Sequence, residues 1–152
     1  MIHMSHESLN QNEENPRQKH LRIFRSDNVD LRASTIDELL GEPEALQCLE
    51  IINDWPIRDL LSEDEINKVV EHLSNTSSPV IATLAYGGNY KLFSEPQRVK
   101  LVQSVIDSND RLSARNLINS MQRIPEDLKP EVVKVAEKGE AKTSSSDWIN
   151  KM

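Results

Sequence analysis

The stretch LLSEDEINKVV, residues 60–70, returns as LFSEPQRVKLV, residues 92–102, 32 positions later. This recurrence constrains the fold more than any other feature of the chain. The offset of 32 sets Leu61-Ser62-Glu63 on Phe93-Ser94-Glu95, and Val69, Val70 and Leu73 on Leu101, Val102 and Val105. A further offset of 31 carries Phe93 to Ile124, Glu95 to Glu126 and Leu101-Val102 to Val132-Val133. The same shift sets Leu117, Ile118 and Met121 against Trp148, Ile149 and Met152. A period of this length is the mark of stacked helix–turn–helix units.

Local chemistry agrees with that reading. Ser62 with Glu65, and Ser94 with Gln97, each have the spacing of a capping box, in which the hydroxyl and the N3 side chain satisfy each other's orphan amides. Leu61 is placed to staple onto Ile66, whereas Phe93 meets only the aliphatic stem of Arg98. Apolar residues at Ile66, Val69, Val70 and Leu73, and at Val99, Val102 and Ile106, follow the one-face spacing of a helix. Second helices are expected from Ser78-Pro79 to a stop at Gly87-Gly88, from Asn109 or Asp110 to about Met121, and from Thr143–Ser145 onward. In the third unit Pro125 replaces the capping serine, so its first helix is expected near Lys129 or Pro130.

Upstream, STIDELLGEPEALQCLEIINDWP reads as a divergent hairpin. Ser34 is its expected first cap, Gly41 its turn, Pro43 the start of the second helix and Pro56 its end. The expected organisation is a disordered polar tail over residues 1–27, then one helical domain over 28–152. That domain divides into a divergent hairpin at 28–59 and repeat-like hairpins at 60–92, 93–123 and 124–152. Within the tail, Leu21, Ile23 and Phe24 are expected to add an anchoring turn. An apolar fraction of 37% and an aromatic fraction of 4% suit a thin helical body with a polar tail. Four glycines are too few for the turns of an all-β fold.

The formal charge of −7 is unevenly spread. Residues 27–72 hold 13 Asp/Glu against 3 Lys/Arg, while residues 86–123 hold 6 Lys/Arg against 3 Asp/Glu. Such polarity steers charged partners without defining a fold. The single cysteine, Cys48, sits among apolar helix positions and reads as a core thiol, which points to a reducing, cytoplasmic setting. No apolar run approaches the roughly 18 residues of a membrane-spanning helix.

Candidate chemistry is sparse. His3, with a free amino terminus and His6 nearby, has the pattern that chelates copper or nickel, but any exposed tail would share it. His72 reads as a solvated residue at a helix end. No zinc-binding spacing is present, and no metal or cofactor is expected. YGGNY, residues 86–90, lacks the Lys-Ser/Thr that a phosphate loop requires and reads as a helix stop. Its Tyr86 and Tyr90 are candidate exposed anchors. Glu63, Asp64 and Glu65 form an acidic first turn that suits the helix dipole and offers a surface to a basic partner. Arg98, Lys100, Arg111, Arg115 and Arg123 make the middle unit basic, yet the acidic whole disfavours nucleic acid. Trp55, before Pro56, reads as core; Trp148 belongs to an apolar stripe on the last helix, which either packs inward under a polar outer face or leaves an open edge for a partner or a second copy.

The layout resembles helical-hairpin repeat proteins of the HEAT and tetratricopeptide kind, without the signature residues of either. An irregular helical bundle is the alternative architecture. The expected fold is all-α, and the expected work is non-catalytic: an adaptor, regulator or inhibitor that binds a basic partner protein. Partner contacts are expected at Glu63, Asp64, Glu65, Tyr86, Tyr90 and Trp148, with no membrane involved. Two alternatives stand beside it. A Ser/Asn/Gln-rich tail before a small helical body resembles the signals of bacterial effectors secreted into a host cell, and the Tyr86–Tyr90 loop could serve a small enzyme.

Overall fold

Two reciprocal capping boxes fix the starts of the central helices in the computed structural model, which describes residues 14–140. Ser62 accepts from the Glu65 amide and Glu65 accepts from the Ser62 amide. Ser94 and Gln97 do the same. From these points run α5 (Glu63–Ser74) and α7 (Glu95–Ser108). Among the described residues the fold is all-α, with helices α1 (Pro16–Arg25), α2 (Val29–Leu40), α3 (Leu46–Asn53), α4 (Trp55–Arg58), α6 (Pro79–Asn89), α8 (Arg111–Ile118) and α9 (Lys129–Lys138) completing it. Short 3-10 turns, Tyr90–Leu92 and Met121–Arg123, follow α6 and α8. No helix among the described residues is long and apolar enough to cross a membrane.

The helices pack in two rows. In one, α2 lies on α5, α5 on α7 and α7 on α9; in the other, α3 lies on α6 and α6 on α8. One continuous core runs between the rows, from Ile23 and Phe24 through Leu73, Tyr86 and Val102 to Val132 and Ala136. Burial of this kind is the main favourable term, about 25 cal/mol for each Å² of apolar surface.

What recurs along the chain is local. Leu61, Phe93 and Ile124 are all buried, and the amide of each bonds to the carbonyl three residues before it, at Arg58, Tyr90 and Met121. The recurrence does not extend to every unit. At α9 the cap position is Leu128, which makes no side-chain cap, and the helix starts at Lys129 as the prolines require. The second helix expected from Thr143–Ser145 lies outside the described residues.

Several expectations are corrected. The tail is not unstructured through residue 27: α1 occupies residues 16–25, capped by Asn15 with Pro16 at its first position. Its cause is tertiary, since Ile23 and Phe24 are buried in the core. Asn28, rather than Ser34, caps α2, which places Ser34 mid-helix. Pro43 does not open α3; the helix starts at Leu46, where the Glu42 carboxylate accepts from the amides of Leu46 and Gln47. Pro56 lies inside α4 rather than closing a helix. Gly87-Gly88 does not stop α6, which continues to Asn89, because buried Ala82, Ala85 and Tyr86 hold that helix against its neighbours. Cys48 is buried as expected, and burial pushes its thiol up to about 12.

At the far end the α7–α8 link is clamped onto the end of α9. The Arg111 amide donates to the Glu140 carbonyl, and the Glu140 amide to the Asn109 carbonyl, both at 2.8 Å. Gly139 sits in the clamp; a Cβ there would fall 2.5 Å from the Val135 carbonyl oxygen and 3.0 Å from that of Asn109.

Candidate functional site

The expected contact residues do not form one site. Glu63 and Asp64 are exposed in the first turn of α5 and hold no ion pair among the described residues. Glu65 faces inward instead. Its carboxylate takes a two-point contact from Arg32, at 3.1 Å from Nε and 2.5 Å from Nη2, while also closing the capping box. Arg32 in turn donates to the carbonyls of Phe24 and Leu60 and lies 5.4 Å from the centre of the Phe24 ring. This half-buried pair stitches α1, α2 and the start of α5 together. Burial raises the Glu65 carboxyl, but hydrogen bonds from Arg32 and Ser62 outweigh it and hold the group below its ordinary value.

Tyr86 is not an exposed anchor. It is fully buried at 0%, its hydroxyl donates to the Arg123 carbonyl, and burial raises its pKa. The reason is its place on the inner face of α6, which the unbroken helix turns toward the core. Trp55 shows the reverse: expected in the core, it is 65% exposed. It starts the four-residue α4 directly after Asp54, whose extended backbone breaks the chain away from α3. Trp148 lies outside the described residues.

Trp55 borders the feature that sequence reasoning missed. A groove of about 530 Å³ runs across three successive junctions, where Trp55 and Arg58 come from the first, Tyr90 and Lys91 from the second and Arg123 from the third. Its floor includes Gly87 and Gly88, and nothing lies within 4 Å of where a Cβ would stand on either. Arg58 lies over the Trp55 ring at 4.0 Å from its centre. Arg98 and Arg123 lie over Tyr90 at 4.8 and 4.2 Å. Arg58 is steadied by the Ile52 carbonyl at 3.2 Å, and Arg98 by the Tyr90 carbonyl at 2.8 Å. Stacked cation–ring contacts contribute about 0.5–1 kcal/mol each at exposed sites, enough to bias side chains that would otherwise move freely.

A sequence signal for this groove exists. Arg58, Lys91 and Arg123 each stand one to three residues before a buried junction anchor, Leu61, Phe93 or Ile124. Of the residues in the groove, the sequence pointed to Tyr90 as an anchor and to Arg123 only as part of a basic unit.

A shallower depression of about 680 Å³ contains His72 and Glu71. There His72 Nε2 donates to the Glu42 carbonyl at 2.6 Å while the residue stays partly exposed, and Glu71 is held by Gln97 and Lys100. Among the described residues no group of three His, Cys, Asp or Glu is placed to hold a metal ion. His3 and His6 lie outside that range. No family model, curated protein or solved structure matches the chain.

Proposed function

We propose that this chain is a protein-binding module without chemistry of its own, and that a partner docks in the groove across the three junctions. The observation that carries this reading is Trp55. A tryptophan 65% exposed, braced by a stacked arginine beside an open groove, has the character of an interface anchor. Large rigid rings gain contact area at small entropic cost, and a ring already braced loses still less on binding. Selection of a displayed peptide library on the full chain tests the reading. Selected peptides should compete with one another and lose most of their affinity for Trp55→Ala; peptides indifferent to that change would overturn the groove assignment.

A second surface is favoured by exposed Glu63 and Asp64, which face solvent without a cationic partner among the described residues. This acidic turn would draw a basic partner protein by long-range attraction. Glu63→Lys with Asp64→Lys should then slow association with that partner, most clearly at low salt. An unchanged rate would remove this surface. Glu65 is left out of the variant because its reversal would break the contact with Arg32.

A further inference from the structure

We infer that the junction groove receives an acidic segment of a partner protein, whose carboxylates pair with Arg123, Lys91 and Arg58 beside Trp55. The inference rests on the groove being a protein-binding site and adds the charge of what enters it.

Three observations converge. The chain carries 25 Asp/Glu against 18 Lys/Arg, yet among the described residues no carboxylate lines this groove, which holds three cations. The side chains of Lys91 and Arg123 are exposed and make no hydrogen bond or ion pair among the described residues. Excess carboxylate elsewhere makes such cations conspicuous, since none of the carboxylates among the described residues neutralises them. The third observation is placement. The guanidinium carbons of Arg123 and Arg58 lie 4.2 and 4.0 Å from the ring centres of Tyr90 and Trp55, which holds both cations at the groove, where their N–H donors can serve a carboxylate. Arg58 already spends one nitrogen on the Ile52 carbonyl, so Arg123 has the freer fork. The open backbone over Gly87 and Gly88 lets an extended chain lie close to the floor.

A nucleic-acid strand fits less well. Strand binding combines a cationic track with several ring faces on which successive bases stack. Here two guanidinium groups already lie over Tyr90 and one lies over Trp55, which leaves little free ring face for bases.

The test uses the full chain with Trp148→Phe, which leaves Trp55 as the sole tryptophan. Titration with octaglutamate should change its fluorescence saturably, while octalysine should not. Arg58→Gln with Arg123→Gln should weaken octaglutamate about tenfold, the combined effect of two pairs near the upper end of the exposed range. Lys134→Gln with Lys138→Gln removes the same charge from α9, outside the groove, and should change affinity less than about twofold. Arg123→Gln alone, at an exposed side chain, keeps the test decisive if the double variant unfolds. A silent octaglutamate titration, equal weakening by both double variants, or tighter binding of octathymidylate would each overturn the inference. Library peptides that need Trp55 but carry no acidic residues would overturn the charge assignment alone and leave the docking site standing.

Discussion

Replacing Arg32 by methionine should lower stability far more than loss of a surface charge. The side chains of Arg32 and Glu65 are 18% and 17% exposed, so their contact lies between the exposed and buried regimes. Exposed pairs contribute about 0.2–1 kcal/mol, and removing one member of a buried pair costs about 3–5 kcal/mol. Arg32 also serves the Phe24 and Leu60 carbonyls, which methionine cannot satisfy. An intermediate cost of about 2–3 kcal/mol follows for Arg32→Met, which keeps the stem against Phe24 while deleting the charge. Glu65→Gln is the matched partner change. Glutamine already fills the same capping role at Gln97, so this variant keeps the box and loses only the ion pair. Its cost should be about 1–2 kcal/mol.

Urea unfolding of the wild type, both single variants and the double variant gives the coupling directly. With a slope of about 1–3 kcal/mol per M, Arg32→Met should lower the midpoint by about 1–2 M. The coupling energy should reach about 1 kcal/mol, and a value under about 0.3 kcal/mol, the scatter expected of independent sites, would refute the reasoning. Acid adds a second reading. The folded-state pKa of Glu65 is lowered, so its contribution is complete above the ordinary glutamate value and fades as pH falls through the folded one. The gap between wild type and Glu65→Gln should therefore close below about pH 4. A gap that persists in stronger acid would mean that the ion pair is not its source.

Other expectations are simpler to check. Gly139→Ala should cost about 2 kcal/mol or more in thermal unfolding, because the new methyl meets backbone oxygens of Val135 and Asn109; an unchanged melting temperature would mean the clamp at the end of α9 is loose. Gly87→Ala and Gly88→Ala should each gain about 0.5–1 kcal/mol in urea unfolding, since both lie in a helix with open space where the methyl would go. A loss at either position would place the stop of α6 before Asn89. Cys48, with its thiol raised to about 12, should resist a thiol reagent until urea unfolds the chain, and rapid labelling of the folded protein would contradict its burial. Tyr86→Phe should cost about 1 kcal/mol by urea unfolding through the lost hydrogen bond to the Arg123 carbonyl, and a neutral result would deny that bond.

The parts of this fold legible in the sequence are those fixed by neighbours in the chain. Ser62–Glu65 and Ser94–Gln97 close over three residues, so their spelling is nearly sufficient. The proline-directed start of α9 at Lys129 is of the same kind. What eluded the sequence depends on distant partners. Helix α1 is polar along most of its length, and only burial of Ile23 and Phe24 against later helices holds it. Its local signature, Asn15 before Pro16, is short enough to be outweighed by composition. Gly87-Gly88 carries a genuine propensity cost, but the packed residues on either side of the core face of α6 override it. That one override displaced the site: a helix ending at Tyr86 would free its ring, whereas a helix continuing to Asn89 buries it and delivers Tyr90 and Lys91 to the surface.

The groove forms where three local turns come together. Leu61, Phe93 and Ile124 plunge into the core at nearly equal intervals, and each is reached through a tight turn from the residue three before it. Such a turn cannot bury every side chain that precedes the anchor, so the residues just upstream are pushed outward at each unit. Packing of α3 on α6 and of α6 on α8 then brings these outward positions side by side. Arg58, Lys91 and Arg123 are separated by about thirty residues in the chain, yet all three line one groove. Lys91 and Arg123 fall at the two ends of the basic stretch 86–123 and Arg58 in the acidic stretch before it, so no short window of sequence shows the three together. Exchanging neighbouring charges by Arg58→Asp with Asp59→Arg, which keeps the net charge, should therefore retain more octaglutamate affinity than Arg58→Asp alone if proximity in the row is what matters. Equal loss in both variants would show that the stack of Arg58 on Trp55, and not the row of charge, holds the ligand.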